Sequence, residues 1–157
     1  MDLSTLPITC RVVIPDSFRD ENDHMNVTWY VHLFDQAASN LFNLFGINRA
    51  YCEANLASTF ALEQHVRYLR EVRIGQAVTV RSRAVARSAK RFHFMQFLVI
   101  DESGVLAATE EAVGTHMDMR VRRTSPMPAH IAAAYDRILE EHLRLPWPAP
   151  VCGAMRP

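Results

Sequence analysis

Asp20, His24 and Asn26 fall within seven residues of one another, in the run Asp-Glu-Asn-Asp-His-Met-Asn, and an amphipathic segment begins immediately after them at Val27. The spacing puts a carboxylate, an imidazole and an amide at the mouth of a helix. The first turn of a helix has N–H groups without intrahelical partners and carries partial positive charge, so it suits a developing oxyanion. A carboxylate beside such a site is the smallest kit for acyl-transfer hydrolysis, with Asp20 taking a proton from water or attacking the acyl carbon itself. His24 would position substrate or bond to Asp20. Asn26 reads first as the helix N-cap. Asp23 adds a second carboxylate that could raise the pKa of Asp20 by like-charge repulsion. Asp35 and its neighbour Gln36 lie on the polar side of the same helix, two turns further on.

The elements that must hold these groups follow from hydrophobic period. Val27 to Phe45 repeats at helical spacing, with a stripe wide and aromatic enough to be buried on most sides, and Gly46 is a natural stop. Residues 8–13 form a short β-prone run ended by Pro15. Tyr51–Ala57 is helical or loop. Thr59 to Leu69, Ala77 to Ala86, Arg91 to Ile100 and Val105 to Val121 read as strands, the last three joined by short turns as an antiparallel meander. Gly114 marks a possible bulge or bend. Ile131 to Leu143 is a short amphipathic helix. The order implies an α+β domain over residues 1–145, one long helix wrapped by a bent antiparallel sheet, followed by an irregular, mobile Pro-rich tail over 146–157. The edge strands of such a sheet invite a second copy, so a homodimer is expected.

Composition narrows the functions. Seventeen basic and seventeen acidic side chains cancel in a chain of 157 residues, which gives no electrostatic case for nucleic acid or an anionic membrane. No apolar run spans a bilayer, and residues 1–7 lack the features of a secretory signal. Three well-separated cysteines, Cys10, Cys52 and Cys152, read as reduced thiols in a cytoplasmic protein. No metal is expected, because His93 and His116 lack paired ligand spacing.

Three further groups could bind substrate. Glu63 and His65 alternate on one strand face, as a cross-strand structural pair or as a contribution to the site of a second subunit. Arg81, Arg83, Arg87, Lys90 and Arg91 form a basic hairpin run. Most of it reads as a solvated face, while Arg87, Lys90 and Arg91 are candidates for nucleotide phosphates. The aromatic side chains of Trp29 and Tyr30, with Tyr51, Phe60, Phe92 and Phe94, could cage a cation, each contact contributing roughly 0.5–2 kcal/mol. Filling the core is the plainer role for most of these rings.

The segment Asp20-x-x-x-His24-Met25-Asn26-x-x-x-Tyr30 resembles the hotdog-fold acyl-CoA thioesterases of the 4-hydroxybenzoyl-CoA type. Arg67-Tyr68-Leu69-Arg70-Glu71-Val72-Arg73-Ile74-Gly75 resembles the second-strand signature of the same family, and the likeness runs from about residue 8 to residue 123. The resemblance implies a dimer or tetramer with its site between subunits, hydrolysis of an acyl-CoA without metal or bound cofactor, and coenzyme A only as part of substrate and product. It implies Asp20 as nucleophile or general base, and the Val27 backbone N–H as the group that polarises the carbonyl. Many members have Gly before the histidine, where this chain has Asp23. Together with Ala89-Lys90-Arg91-Phe92-His93 and His116-Met117-Asp118-Met119, the Asp20–Asn26 segment is similar to the betainyl-CoA thioesterases of carnitine breakdown, whose substrate carries a quaternary ammonium group.

Two other readings are open. A hotdog hydratase or dehydratase would carry Asp-x-Asn-Pro-x-His, but here Asp23 stands where proline belongs and His24 comes one residue early. A non-catalytic acyl-CoA-binding protein would retain the fold without needing Asp20.

Overall fold

The computed structural model describes residues 1–157. One long helix, α1 (Val27–Leu44), lies against an antiparallel sheet of β1 (Ile8–Val13), β2 (Ala57–Tyr68), β3 (Ala77–Arg87), β4 (Arg91–Ile100), β5 (Val105–Asp118) and β6 (Arg123–Thr124). Two shorter helices, α2 (Arg49–Asn55) and α3 (Ala129–Leu143), flank it. The strands run in the order β1-β3-β4-β5-β2, with the two-residue β6 added to β5. This is the α+β, helix-in-sheet arrangement expected of the hotdog fold.

The meander of β3, β4 and β5 forms as its turn residues require. Gly104 takes a φ of +66° in the β4–β5 turn, a conformation that costs glycine little. Gly46, at +96°, follows the C-cap of α1 and ends the helix where the sequence places its stop. Three expectations change. β5 ends at Asp118 and not at Val121, because the chain turns back through Arg122 to pair Arg123 with Asp118. The bulge sits across from Gly114, between Ala61 and Glu63 of β2. Gly114 itself is in close packing: a Cβ there would lie 3.4 Å from the Phe60 carbonyl oxygen.

The third change concerns α1. Its buried residues are Tyr30, Leu33, Phe34, Ala37, Leu41 and Phe42, whereas Val27, Val31, His32, Asp35 and Ser39 are exposed. The aromatic stripe therefore covers one side of the helix, and the flank toward β2 is open because β2 is the last strand of the sheet.

Two apolar clusters fill the concave side. Val80, Leu98 and Ala108, aligned across β3, β4 and β5, belong to the cluster under the first half of α1. Ala84, Phe94 and Ala112 belong to the cluster under its second half. The aligned row between them is polar: Ser82, Gln96 and Glu110, none more than 1% exposed. Thr9 satisfies Ser82 at 2.7 Å, but neither amide atom of Gln96 has a partner. Buried polar groups without partners are rare and costly, so this row is a feature that packing alone does not explain.

The Pro-rich tail has no helix or strand and is packed on the domain. Trp147 lies 4.1 Å from the Arg83 guanidinium and edge-on to Phe97, and Met155 is buried. An indole and a thioether give the tail enough apolar surface to hold the convex face of the sheet.

Candidate active site

The loop before α1 is pinned on three sides. The Asn26 N–H donates to the Phe18 carbonyl at 2.9 Å, the Met25 N–H to the Val72 carbonyl at 2.8 Å, and the Asp20 N–H to the His24 carbonyl at 3.0 Å. The turn closes through Asp23, whose N–H donates to the Asp20 carbonyl and whose φ is +65°. That is the left-handed region, which glycine enters freely and aspartate tolerates better than most residues. The chain thus keeps a glycine-like turn with Asp23 in place. Arg19 ion-pairs with both Asp23 and Asp16, so the extra carboxylate is neutralised away from the site.

Asn26 is the N-cap. Its Oδ1 accepts the Thr28 N–H at 3.0 Å and the Thr28 hydroxyl at 2.9 Å. Val27, the first helical residue, therefore presents a backbone N–H for which the helix has no carbonyl.

The side chain of Asp20 is 10% exposed. Its Oδ1 accepts the Asn22 N–H at 2.8 Å and, more distantly, the His24 N–H at 3.4 Å, while Oδ2 is 3.4 Å from the His24 Nδ1. Burial pushes the carboxyl up, but the backbone donors and the neighbouring imidazole outweigh it and hold it below the usual carboxylate value. Asp20 is consequently ionised at neutral pH.

Asp20, His24 and Val27 line one cleft of about 400 Å³, together with Met25, Tyr30, Tyr68, Leu69, Arg70 and Glu71. Tyr30 is almost fully buried and meets Tyr68 edge-to-face, with ring centres 5.1 Å apart. The far wall, Tyr68 to Glu71, is the stretch that carries the second sequence signature. Its place in the cleft depends on β2 returning beside β5, an order that hydrophobic alternation does not encode.

The other candidates lie elsewhere. Trp29 stacks flat on Phe18 at 3.8 Å and does not line the cleft. Asp35 lines a second cavity of about 270 Å³ between α1, β2 and β5, with Ser58, Phe60, Gln64, Phe94 and Glu110 among its walls. Tyr51 bonds His116 at 2.8 Å, and Phe92 is sealed in the core. Arg87 is committed to Asp136. Lys90 and Arg91 are exposed at the β3–β4 hairpin, the end of the sheet opposite Tyr68. Glu63 and His65 project near the convex face, where His65, Glu111 and Cys152 bring possible metal-ligating atoms within 4.8 Å of one another. Those three come from β2, β5 and the tail, so linear spacing gave no sign of the group.

The model of the thioesterase-like superfamily matches residues 16–135. A betainyl-CoA thioesterase of Pseudomonas aeruginosa is 30% identical over 136 residues, which cover 87% of this chain and 85% of that protein. An L-carnitine dehydrogenase/betainyl-CoA thioesterase of Rhizobium meliloti is 33% identical over 129 residues, 82% of this chain but only 26% of the larger protein. Among solved structures, a Staphylococcus aureus protein in complex with CoA superposes with a TM-score of 0.84 at 24% identity, covering 91% of this chain and 90% of its own. A DHNA-CoA thioesterase of Staphylococcus aureus superposes with a TM-score of 0.77 at 15% identity, covering 87% and 94%. At these identities the two structures establish the fold.

Proposed function

We propose that this chain, which belongs to the thioesterase-like superfamily, hydrolyses a small acyl-CoA, betainyl-CoA first among them, to the free acid and coenzyme A. The observation that carries the reading is the meeting of an ionised, shielded Asp20 and the free N-terminal end of α1 in one cleft. The Val27 N–H donates a hydrogen bond to the thioester carbonyl oxygen, and that bond strengthens as negative charge develops. Asp20 attacks the acyl carbon, or takes a proton from a water that does so. The carbon–sulfur bond then breaks and the thiolate of coenzyme A leaves, taking up a proton; after direct attack, water hydrolyses the acyl–Asp20 anhydride to the free acid and restores the carboxylate. The lowered carboxyl pKa keeps Asp20 anionic at neutral pH, the form that either role requires. His24 orients the carboxylate.

Similarity to betainyl-CoA thioesterases supports this choice of acyl group. A thiol-release assay over a panel of acyl-CoAs tests the reading: hydrolysis liberates free thiol, hydration does not. No release from betainyl-CoA or from any short acyl-CoA would overturn it.

The working form is a homodimer paired through β2. This strand is twelve residues long, ends the sheet, and exposes Phe60, Leu62 and Tyr68. Long exposed edges with apolar side chains are templates for strand pairing. Antiparallel pairing with full overlap sets the Tyr68 end of one copy against the Ala57 end of the other. It also carries Lys90 and Arg91 of one copy toward the cleft of the other, where they would meet the phosphates of coenzyme A. No helix is long and apolar enough to cross a membrane. The cysteines are unpaired, in keeping with a cytoplasmic setting.

A further inference from the structure

The betainyl head group sets a geometric demand. A single methylene separates its quaternary nitrogen from the thioester carbonyl carbon. With the carbonyl oxygen at the Val27 N–H, the cation must lie within a few ångströms of the helix end. The cleft itself offers Tyr68 and Glu71, but Glu71 is already paired with Arg73 at 2.9 Å.

The second cavity has the stronger chemistry for a cation. It is lined by two acidic side chains, Asp35 and Glu110, and by the rings of Phe42, Phe60 and Phe94. Glu110 is 1% exposed and accepts one hydrogen bond, from Gln64 Nε2 at 2.9 Å. Burial and the nearby Asp35 charge push its carboxyl up to about 8. Gln96, its neighbour in register on β4, is fully buried with both amide atoms unpartnered. A cation among these rings is attracted by the Asp35 charge and favours the ionised form of Glu110.

Within one protomer this cavity is out of reach. Asp35 lies eight residues along α1 from Val27, or about 12 Å at 1.5 Å per residue. The β2 pairing proposed above removes the difficulty. It sets Tyr68, where the cleft wall of one copy begins, against Ala57 of the other, one residue from Ser58–Ala61, which line the second cavity.

We infer that the cavity bounded by Asp35, Glu110, Phe42, Phe60 and Phe94 receives the quaternary ammonium end of the acyl group bound in the cleft of the adjoining subunit. The inference rests on the thioesterase and dimer readings and adds the residues that would select a cationic acyl group.

The test compares betainyl-CoA with 3,3-dimethylbutyryl-CoA, its uncharged carbon isostere, on the full-length protein. The expected result is a kcat/KM ratio favouring the cation by tenfold or more, about the worth of one well-placed cation–aromatic contact with charge support. Asp35→Asn, Glu110→Gln and Phe60→Leu should each reduce that ratio at least threefold, whatever they do to the absolute rates. A wild-type preference for the cation that survives all three substitutions would overturn the inference and leave the thioesterase reading standing. Equal hydrolysis of both substrates by the wild type would overturn the inference and the betainyl assignment together. A second measurement needs no variant: tetramethylammonium chloride should inhibit betainyl-CoA hydrolysis competitively, and more strongly than sodium chloride at the same ionic strength. Equal effects of the two salts would also count against the cavity.

Discussion

The Nδ1 of His24 lies 3.4 Å from the Oδ2 of Asp20, and the backbone N–H of the same histidine approaches the other carboxylate oxygen. One residue thus touches both oxygens of the candidate nucleophile, which keeps the carboxyl turned into the cleft and its pKa down. The pH profile follows. Activity that needs the Asp20 anion is present above its pKa and is lost only as pH falls through a value below the ordinary 3.8. A histidine acting as base would instead place an acid limb near 6.5. The expected kcat profile is flat from about pH 5 to 8, checked by thiol release in constant-ionic-strength buffers.

Asp23 holds a left-handed turn and is neutralised by Arg19. Asp23→Gly should leave activity within about twofold, because glycine takes that conformation without strain and the lost ion pair is exposed. Asp23→Val should cost about 1–2 kcal/mol and depress activity, since a β-branched residue resists positive φ. Thermal melts and turnover of the two variants make the comparison.

How much of this was legible in the chain depended on range. Asn26 announced the start of α1 and Gly46 its end, because caps are written in adjacent residues. The meander was readable from alternation and turn chemistry. The return of β2 to the far side of β5 was not, since pairing between residues such as Tyr68 and Ala108 involves segments forty residues apart in the chain. The candidate site divides the same way. Asp20, His24 and Val27 sit in one short motif, so their proximity follows from local structure. The Glu110 cavity brings together α1, β2, β4 and β5, and Glu110 reads in the sequence as one more strand carboxylate. Trp29 drew notice as an aromatic beside the motif, but its ring spends its surface on Phe18.

Asn26 supplies a cap through its Oδ1. Asn26→Ala should lower stability by about 1 kcal/mol. It should also reduce kcat more than it raises KM, because the first turn of α1 frays at the point where the oxyanion is held. Chemical denaturation gives the first quantity and steady-state kinetics the second.

Leu62 is 51% exposed beside the bulge of the edge strand β2. Leu62→Lys places a charge where two copies would meet, and such charges are effective blocks to edge pairing. The variant is expected to sediment as a monomer with its circular dichroism unchanged and its thioesterase activity lost. A fully active monomer would remove the second subunit from the account.

The central claim is that Asp20 performs the chemistry at the end of α1, and replacing it with its neutral isostere measures this most directly. With betainyl-CoA as substrate, Asp20→Asn should release coenzyme A at least about 1,000-fold more slowly than the wild type, with acyl-CoA binding and melting temperature little changed. Release at the wild-type rate would contradict the account.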